Sequence, residues 1–114
     1  MCFVDTVGDL VIERPGEGVD SVWANVTYTL PAEVEYLMLY GAGYNGTGNA
    51  LTNIIYGTAD DNILAGLAAD DQLNGREGAD WLIGGDGNDV LSGDAGNDSL
   101  QGDAGNDVLI RAGE

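Results

Sequence analysis

The second half of the chain repeats every nine residues, and this period restricts the possible folds more than any other feature of the sequence. The last three units, GGDGNDVLS, GDAGNDSLQ and GDAGNDVLI, are nearly identical, and the register weakens upstream until GNALTNIIY. The units begin at Gly48, Gly57, Gly66, Gly75, Gly84, Gly93 and Gly102. A short repeat of this kind indicates an array of stacked units, each packed against its neighbours.

Every unit carries an aliphatic residue at its eighth position, between the flanking seventh and ninth residues. These aliphatic residues are Ile55, Leu64, Leu73, Leu82, Leu91, Leu100 and Leu109. The remaining hexapeptide is rich in Gly, Asp and Asn, so each unit predicts a short strand followed by a tight turn. Two units then close one coil of 18 residues, in which residues 18 apart stack at the strand spacing of about 4.8 Å. The period predicts an all-β parallel roll whose core is filled by the eighth positions.

The turns carry glycine at the first and fourth positions, where a positive φ or a close carbonyl approach would exclude a Cβ atom. Asn88, Asn97 and Asn106 occupy the fifth position, and asparagine also tolerates left-handed backbone. Because every second unit stacks, the sixth-position residues are expected to form two ladders, one on each edge. The first ladder is Asn53, Asp71, Asp89 and Asp107, and the second is Asn62, Asp80 and Asp98.

The carboxylates of these ladders repel one another. Two carboxylates about 5 Å apart repel by about 1 kcal/mol in water and by about 3 kcal/mol at an effective dielectric constant of about 20. Ca²⁺ suits the gap because it is a hard ion that takes six to eight oxygen ligands, whereas Mg²⁺ demands a stricter octahedron and is expected to substitute poorly. An alternative interpretation is that each Asp only caps its own turn as an Asx motif.

The units resemble the nonapeptide G-G-x-G-x-D-x-U-x of RTX, or hemolysin-type, calcium-binding proteins. The resemblance implies a right-handed parallel β-roll (a β-solenoid) that binds several Ca²⁺ ions, each between the hexapeptides of units i and i+2. The candidate metal-site residues are Asp71, Gly75, Arg76, Gly78, Asp80, Gly84, Gly85, Asp86, Gly87, Asp89, Gly93, Asp94, Ala95, Gly96, Asp98, Gly102, Asp103, Ala104, Gly105 and Asp107.

The calcium sites are expected to weaken towards the start of the repeat. The pairs that fit best are Asp80 with Asp98 and Asp89 with Asp107. The pair of Asp71 with Asp89 is expected to be weaker, because Leu67 and Ala69 replace conformationally permissive residues in that turn. Asn62 offers a neutral amide in place of a carboxylate, so its pair with Asp80 is expected to be weaker still.

Composition narrows the function further. The chain has 20 acidic residues against three arginines, contains no Lys or His, and has a formal charge of -17. Such a surface attracts cations and repels nucleic acid and anionic lipid, while a hydrophobic content of 44% argues against a disordered acidic chain. Cys2 is alone, which excludes an internal disulfide and a zinc site of nitrogen and sulfur ligands. Without His or Lys a catalytic constellation is hard to assemble, so the chain is predicted not to be an enzyme.

Residues 1–46 lack the nine-residue period but still favour β structure, with alternating side chains over residues 21–30 and a turn signal at residues 15–18. This segment resembles the spacer between repeat blocks of large bacterial RTX proteins, which implies an irregular β cap at 1–46 and the roll at 47–114. An alternative assigns a glycan-binding surface to four aromatic residues, since aromatic rings stack on sugars. These residues are Trp23, Tyr28, Tyr36 and Tyr40.

The sequence predicts a calcium-binding module that folds on Ca²⁺ binding within a secreted bacterial protein. The start of the chain has no basic or apolar leader region, so export is expected to use another signal or one outside these residues, and no apolar run is long enough to predict a membrane span. The resemblance to RTX proteins implies secretion by a non-Sec route. Besides calcium, the expected partners are a second copy at the ends of the roll or neighbouring domains of a parent protein. The alternatives are an auxiliary carbohydrate-associated module beside an extracellular enzyme and an adhesive module; ice binding is disfavoured because only Thr47 and Thr58 lie near the relevant turns.

Overall fold

The computed structural model describes residues 2–4, 21–24, 27–30, 34–40, 45–94, 96 and 98–111. Over these residues the chain forms short strands and no helix, which confirms the all-β prediction. The strands are β1 (Cys2–Val4), β2 (Ser21–Ala24), β3 (Tyr28–Thr29), β4 (Tyr36–Leu39), β5 (Gly46–Thr47), β6 (Ile54–Tyr56), β7 (Ile63–Ala65), β8 (Gln72–Asn74), β9 (Trp81–Ile83), β10 (Val90–Asp94), β11 (Ser99–Gln101) and β12 (Val108–Arg111).

The strands form two parallel sheets that alternate along the chain. One sheet has the order β1-β2-β4-β6-β8-β10-β12, and the other has the order β11-β9-β7-β5-β3. Within the repeat each strand pairs with the strand two units away, as Leu73 pairs with Leu91 and Leu64 with Leu82. The result is a β-solenoid of about 4 turns with about 18 residues per turn, as the nine-residue period predicts.

The coil length is regular in the repeat and irregular before it. In the seven-stranded sheet, Tyr36 pairs with Ile54, 18 positions away. The later strand pairs of this sheet keep the same spacing up to the bulge in β10. By contrast, Ser21 pairs with Tyr36, 15 positions away, and Cys2 pairs with Val22, 20 positions away. In the seven-stranded sheet the strands before the repeat are therefore separated by coils of unequal length, whereas in the other sheet Tyr28 pairs with Gly46 at the regular spacing of 18.

A single file of aliphatic side chains fills the space between the sheets. Ile55, Leu64, Leu73, Leu82 and Leu91 are each at most 1% exposed, because a coil covers them on both sides. Burying each of these side chains contributes about 1.5–3 kcal/mol. The upstream coils continue this core with buried aliphatic residues, which include Val22, Val34, Leu37 and Leu39.

None of the segments that the structure describes forms a helix long and apolar enough to cross a membrane.

Candidate metal centre

The sixth-position residues on the first edge of the roll are joined by backbone-to-side-chain hydrogen bonds. The backbone N–H of Asn53 donates to Oδ1 of Asp71 over 2.7 Å. The N–H of Asp71 donates to Oδ1 of Asp89, and that of Asp89 to Oδ1 of Asp107, each over 2.8 Å. Each bond connects residues 18 apart, so this edge carries the first ladder that the sequence predicts.

The second edge repeats the arrangement. The backbone N–H of Asn62 donates to Oδ1 of Asp80 over 2.7 Å, and the N–H of Asp80 donates to Oδ1 of Asp98 over 2.8 Å. One oxygen of each carboxylate is therefore held by the preceding coil, and the direction of the bond is the same on both edges. This regularity contradicts the alternative in which each Asp caps only its own turn.

The second carboxylate oxygen of four of these residues is buried and has no hydrogen-bond partner. These are the Oδ2 atoms of Asp71, Asp80, Asp89 and Asp98. Each lies against the first glycine of its own unit, where an added Cβ would overlap the carboxylate. The glycines concerned are Gly66, Gly75, Gly84 and Gly93. None of them has a positive φ, so glycine is required at the first position because it leaves room for the carboxylate.

The backbone of the turns is left-handed at the second and fourth positions of every described unit from Gly66 onwards. The second positions are Leu67 (φ 76°), Arg76 (64°), Gly85 (87°), Asp94 (58°) and Asp103 (64°). The fourth positions are Ala69 (φ 70°), Gly78 (98°), Gly87 (107°), Gly96 (107°) and Gly105 (106°). Leu67 and Ala69 thus keep the conformation of the glycine-rich turns, although a left-handed non-glycine residue costs about 1–2 kcal/mol.

Consecutive turns on one edge approach each other through their backbones. The carbonyl oxygen of Ala69 lies against Gly87, and the carbonyl oxygen of Gly87 lies in turn against Gly105. On the other edge, the carbonyl oxygen of Gly78 lies against Gly96 in the same way. A Cβ at the later residue would overlap the carbonyl group of the earlier turn. Each gap between stacked turns therefore offers carbonyl oxygens as well as carboxylates.

Burial makes the charged form of these carboxylates costly. Desolvation raises the pKa of Asp71 from 3.8 to about 7, against the lowering effect of the hydrogen bond from Asn53 and with further raising by the nearby Asp89. Desolvation also raises the pKa of Asp80 to about 7, again opposed by the backbone N–H, here from Asn62. The pKa of Asp89 is raised for the same first cause. In a metal-free roll each of these carboxylates therefore either takes up a proton or remains a buried charge without a counter-ion.

The donor set fits a calcium ion. Within the described part of the chain, no three acidic or cysteine residues converge on one point, so any ion held here takes backbone oxygen as well as carboxylate ligands. Ca²⁺ accepts such mixed oxygen ligands in flexible geometry. The buried Oδ2 atoms, which have no other partner, are placed to supply the charge that a cation requires.

The protein-family model of the RTX calcium-binding nonapeptide repeat (4 copies) matches residues 47–82 and 74–109 of the chain. The chain belongs to the RTX calcium-binding repeat family. It is accordingly a calcium-binding module, and the matched residues contain both carboxylate ladders of the roll. The RTX repeat is a structural, calcium-binding unit and not a catalytic one.

A curated relative shares part of the RTX region. The chain is 47% identical over 45 residues to the endo-1,3-1,4-beta-glycanase ExsH of Rhizobium meliloti (strain 1021). The match covers 40% of this chain and 10% of that protein, so the chain spans only a small part of its length. No solved structure matches the chain.

The predicted RTX site residues occupy the first, second, third, fourth and sixth positions of their units. The sixth-position carboxylates form the ladders, the first-position glycines pack against them, and the second and fourth positions are left-handed. The backbone of Arg76 is left-handed like the other second positions, whereas its guanidinium lies over the Tyr56 ring, 5.1 Å from the centroid. The third-position residues Asp86 and Ala104 are exposed, and Ala95 lies outside the described residues.

The two upstream RTX units satisfy their buried sixth-position groups without a metal. The Oδ1 atom of Asn53 accepts the N–H of Asn49 over 2.8 Å, and its amide group donates to Oδ1 of Asn49 over 3.1 Å. The Oδ1 atom of Asn62 likewise accepts the N–H of Thr58 over 2.7 Å. The second position is not left-handed in either unit. The change from amide to carboxylate thus coincides with a change in turn conformation at Gly66.

The fifth positions carry further hydrogen-bonded ladders, which were not predicted from the sequence. The N–H of Ala79 donates to Oδ1 of Asp61 over 2.7 Å, and the N–H of Asn88 donates to Oδ1 of Asp70 over 2.8 Å. The N–H of Asn106 donates to Oδ1 of Asn88 over 2.7 Å. Asn88 and Asn106 are not left-handed, so the reason given for asparagine at this position was wrong for both. The recurrence of Asp or Asn at the fifth position was the signal that predicts such a ladder.

Proposed function

We propose that the chain is a module that folds when calcium binds between its stacked turns, as part of a secreted bacterial protein. The observation that carries this proposal is the set of four buried Oδ2 atoms without a hydrogen-bond partner. Each of these carboxylates accepts one backbone hydrogen bond through Oδ1, but a buried carboxylate without a cation and with one oxygen left without any partner is still destabilising. Bound calcium supplies the positive charge that makes these positions favourable.

The proposed ligands are the carboxylates of one edge together with carbonyl oxygens of the turns between them. Asp80 with Asp98 and Asp89 with Asp107 are the strongest pairs, because both members are carboxylates in glycine-rich turns. The pair of Asp71 with Asp89 also supports a site, since the Asp71 turn has the same left-handed backbone. The amide units upstream of Gly66 bind calcium weakly or not at all, because their side chains are already hydrogen-bonded. The other predicted site residues, from Gly75 to Gly105, shape the gaps between stacked turns in which calcium is proposed to bind.

The stabilisation available from several such sites is enough to control folding. A site with a dissociation constant of about 0.1 mM, in about 1 mM calcium, contributes about 1.4 kcal/mol to the free energy of unfolding. Native domains are stable by only about 5–15 kcal/mol. A few sites therefore move the chain from mostly unfolded to mostly folded, which fits a protein made in a low-calcium cytoplasm and used outside the cell.

The parent protein is proposed to be an extracellular enzyme or adhesin to which this module is attached. The similarity of the repeat region to a stretch of a bacterial glycanase supports an enzyme-associated role. The module itself then contributes calcium-dependent structure and not catalysis.

Calcium titration calorimetry on matched variants tests the assignment of ligands. Asp89 lies between Asp71 and Asp107, so Asp89→Asn is expected to remove up to two sites from the calcium stoichiometry. Asp60→Asn removes the same charge from an exposed residue outside the sixth-position ladders and is expected to leave the stoichiometry unchanged. An equal loss in both variants would show that bulk negative charge, and not the ladder, attracts the ions.

A further inference from the structure

The outer face of the seven-stranded sheet carries a shallow groove that the calcium sites do not use. The seventh and ninth positions of each strand point outward on either side of the buried eighth position, and together they form two columns along the axis of the roll. One recess of about 180 Å³ lies over β6, β8 and β10, with Gln72, Asn74 and Ser92 among its lining residues. A smaller recess of about 30 Å³ is lined by Trp23 and Tyr36, among others. Ile54 and Tyr56 line both recesses, so the two are adjacent, and together they are called the outer groove.

The outer groove has no ionisable acid or base among its lining residues other than tyrosine. This is unexpected in a chain of formal charge -17, whose carboxylates in the repeat lie in the turns at the two edges of the sheet. Two charged groups lie at its margin, since the Arg76 guanidinium lies over the Tyr56 ring and the Asp94 carboxylate accepts the Ser92 hydroxyl. An anionic ligand would still meet the repulsive field of the carboxylates at both edges. An uncharged ligand is the one that fits this surface.

The side chains of the outer groove combine aromatic rings at one end with amide and hydroxyl groups at the other. Tyr36 is 40% exposed, and the Tyr56 ring is held in place by the guanidinium of Arg76 at 5.1 Å. Gln72, Asn74 and Ser92 follow along the same two columns. Oδ1 of Asn74 accepts the backbone N–H of Arg76 and the Ser92 hydroxyl donates to Asp94, so a ligand meets mainly the Gln72 amide and the NH₂ group of Asn74. Rings that stack on apolar C–H faces beside groups that hydrogen-bond to hydroxyls are complementary to pyranose sugars.

The dimensions of the outer groove favour a linear ligand. The columns advance by one strand spacing, about 4.8 Å, per coil, which is close to the length of one pyranose residue. The groove is too shallow to enclose a ligand, but it is long enough for a chain to lie along it. A second copy of this protein is a less favourable occupant, because face-to-face packing would bring two strongly acidic chains together.

We propose that the outer groove binds a neutral linear polysaccharide, with the sugar rings lying along the axis of the roll. Tyr36 supplies the main stacking surface, together with the part of the Tyr56 ring that Arg76 does not cover, and Gln72 and Asn74 hydrogen-bond to the hydroxyl groups. Only two of the four aromatic residues in the predicted glycan-binding surface, Trp23 and Tyr36, line this groove; Tyr28 packs against the core from the other sheet. The proposal rests on the calcium-dependent fold, because the columns exist only in the folded roll.

Isothermal titration calorimetry in saturating calcium tests the proposal, with cellohexaose and laminarihexaose as neutral probes and a hexamer of uronic acid as the acidic one. At least one neutral hexamer is expected to bind, and Tyr36→Ala combined with Gln72→Ala is expected to weaken it by about tenfold or more. Trp81→Ala is the matched control, because Trp81 is an exposed aromatic residue on the outer face of the other sheet, 47% exposed. It is expected to leave the affinity unchanged.

The outcomes separate this proposal from the calcium-dependent fold. If circular dichroism shows a folded chain in calcium but no neutral hexamer binds, the glycan site is wrong and the folding proposal stands. Stronger binding of the acidic hexamer, or an equal loss in Trp81→Ala, also overturns the assignment of the groove. A chain that does not fold in calcium overturns both proposals, and dimers that Tyr36→Ala dissociates would identify a second copy as the occupant instead.

Discussion

The backbone N–H of Asp71 donates a 2.8 Å hydrogen bond to Oδ1 of Asp89, while Oδ2 of the same Asp89 carboxylate is buried without any hydrogen-bond partner. The fold thus satisfies one half of the carboxylate and leaves the other half to an external cation. One coil upstream of Asp71, Asn53 fills the equivalent position with an amide whose oxygen and nitrogen both have partners. The sixth-position side chain and the conformation of the turn before it therefore together determine whether the buried group is satisfied within the chain.

Asp80→Asn is expected to stabilise the metal-free chain and to weaken calcium binding. The substitution removes a buried charge whose pKa is raised to about 7 by desolvation, and such a group costs about 1–3 kcal/mol when it is left unsatisfied. Circular dichroism in EDTA at about pH 8 should show more β structure in the variant than in the parent chain. The exposed-site variant Asp60→Asn should show no such gain, and a gain of equal size there would attribute the effect to net charge alone.

Ala69→Gly is expected to lower the calcium concentration needed for folding. Ala69 has φ 70°, and relief of this left-handed strain should stabilise the roll by about 1 kcal/mol despite the greater freedom of glycine in the unfolded chain. Ala79→Gly is the control, because Ala79 lies in the next turn without a positive φ; it should destabilise by about 0.5–1 kcal/mol. Chemical denaturation in fixed calcium measures both, and destabilisation by Ala69→Gly would contradict the turn conformation.

Gly84→Ala is expected to destabilise the calcium-bound roll by about 1–3 kcal/mol. The added methyl group would overlap the carboxylate of Asp89, whose Oδ1 is held by the backbone N–H of Asp71. Gly46→Ala places its methyl group 2.9 Å from the end of the Leu37 side chain, which has more freedom to move, and should cost less. Calcium midpoints followed by circular dichroism compare the two; a larger cost at Gly46 would show that the first-position glycines are not matched to the carboxylates.

The metal-free chain is expected to gain structure as the pH falls. The pKa of Asp71 and Asp80 is about 7 in the roll but 3.8 as the ordinary value of an exposed Asp. Between these values the folded state binds more protons than the unfolded state, so the stability of the metal-free roll is greatest below about pH 4 and falls as the pH rises to about 7.

This pH dependence is measured by circular dichroism in EDTA at about pH 5 and about pH 8, with more β structure expected at the lower value. The combined variant Asp71→Asn and Asp80→Asn should show a smaller difference between the two, because it lacks the titrating groups. An unchanged difference in that variant would assign the effect to the remaining acidic residues.

The nine-residue period was sufficient to predict the coil length, the two carboxylate ladders and the buried eighth positions from Ile55 to Leu91. Each of these follows from stacking identical units, which places equivalent residues above one another whatever the detailed turn geometry. Membership of the family follows from the same pattern, because the motif is defined by the residues that the stacking repeats. The prediction of a buried eighth position was wrong for Leu109, which is 47% exposed, and Leu100 is only partly buried.

The turn conformation could not be predicted in the same way. The left-handed second position is occupied by Leu67, Arg76 and Asp94 as well as by glycine, so residue type alone does not reveal it. At the fifth position the N–H groups donate to the preceding coil, whereas at the sixth position they donate to the following coil. This difference in direction depends on side-chain rotamers. The coil lengths before the repeat, 20 and then 15 residues, have no periodic signal to fix their register.

Calcium-dependent folding is tested by far-ultraviolet circular dichroism of the chain at about pH 8 in EDTA, in millimolar magnesium and in millimolar calcium. We expect an unfolded spectrum in EDTA and in magnesium, and a β spectrum in calcium that is reversed by excess EDTA. A β spectrum of the same strength in EDTA and in calcium would contradict this expectation, because the buried carboxylates would then need no cation.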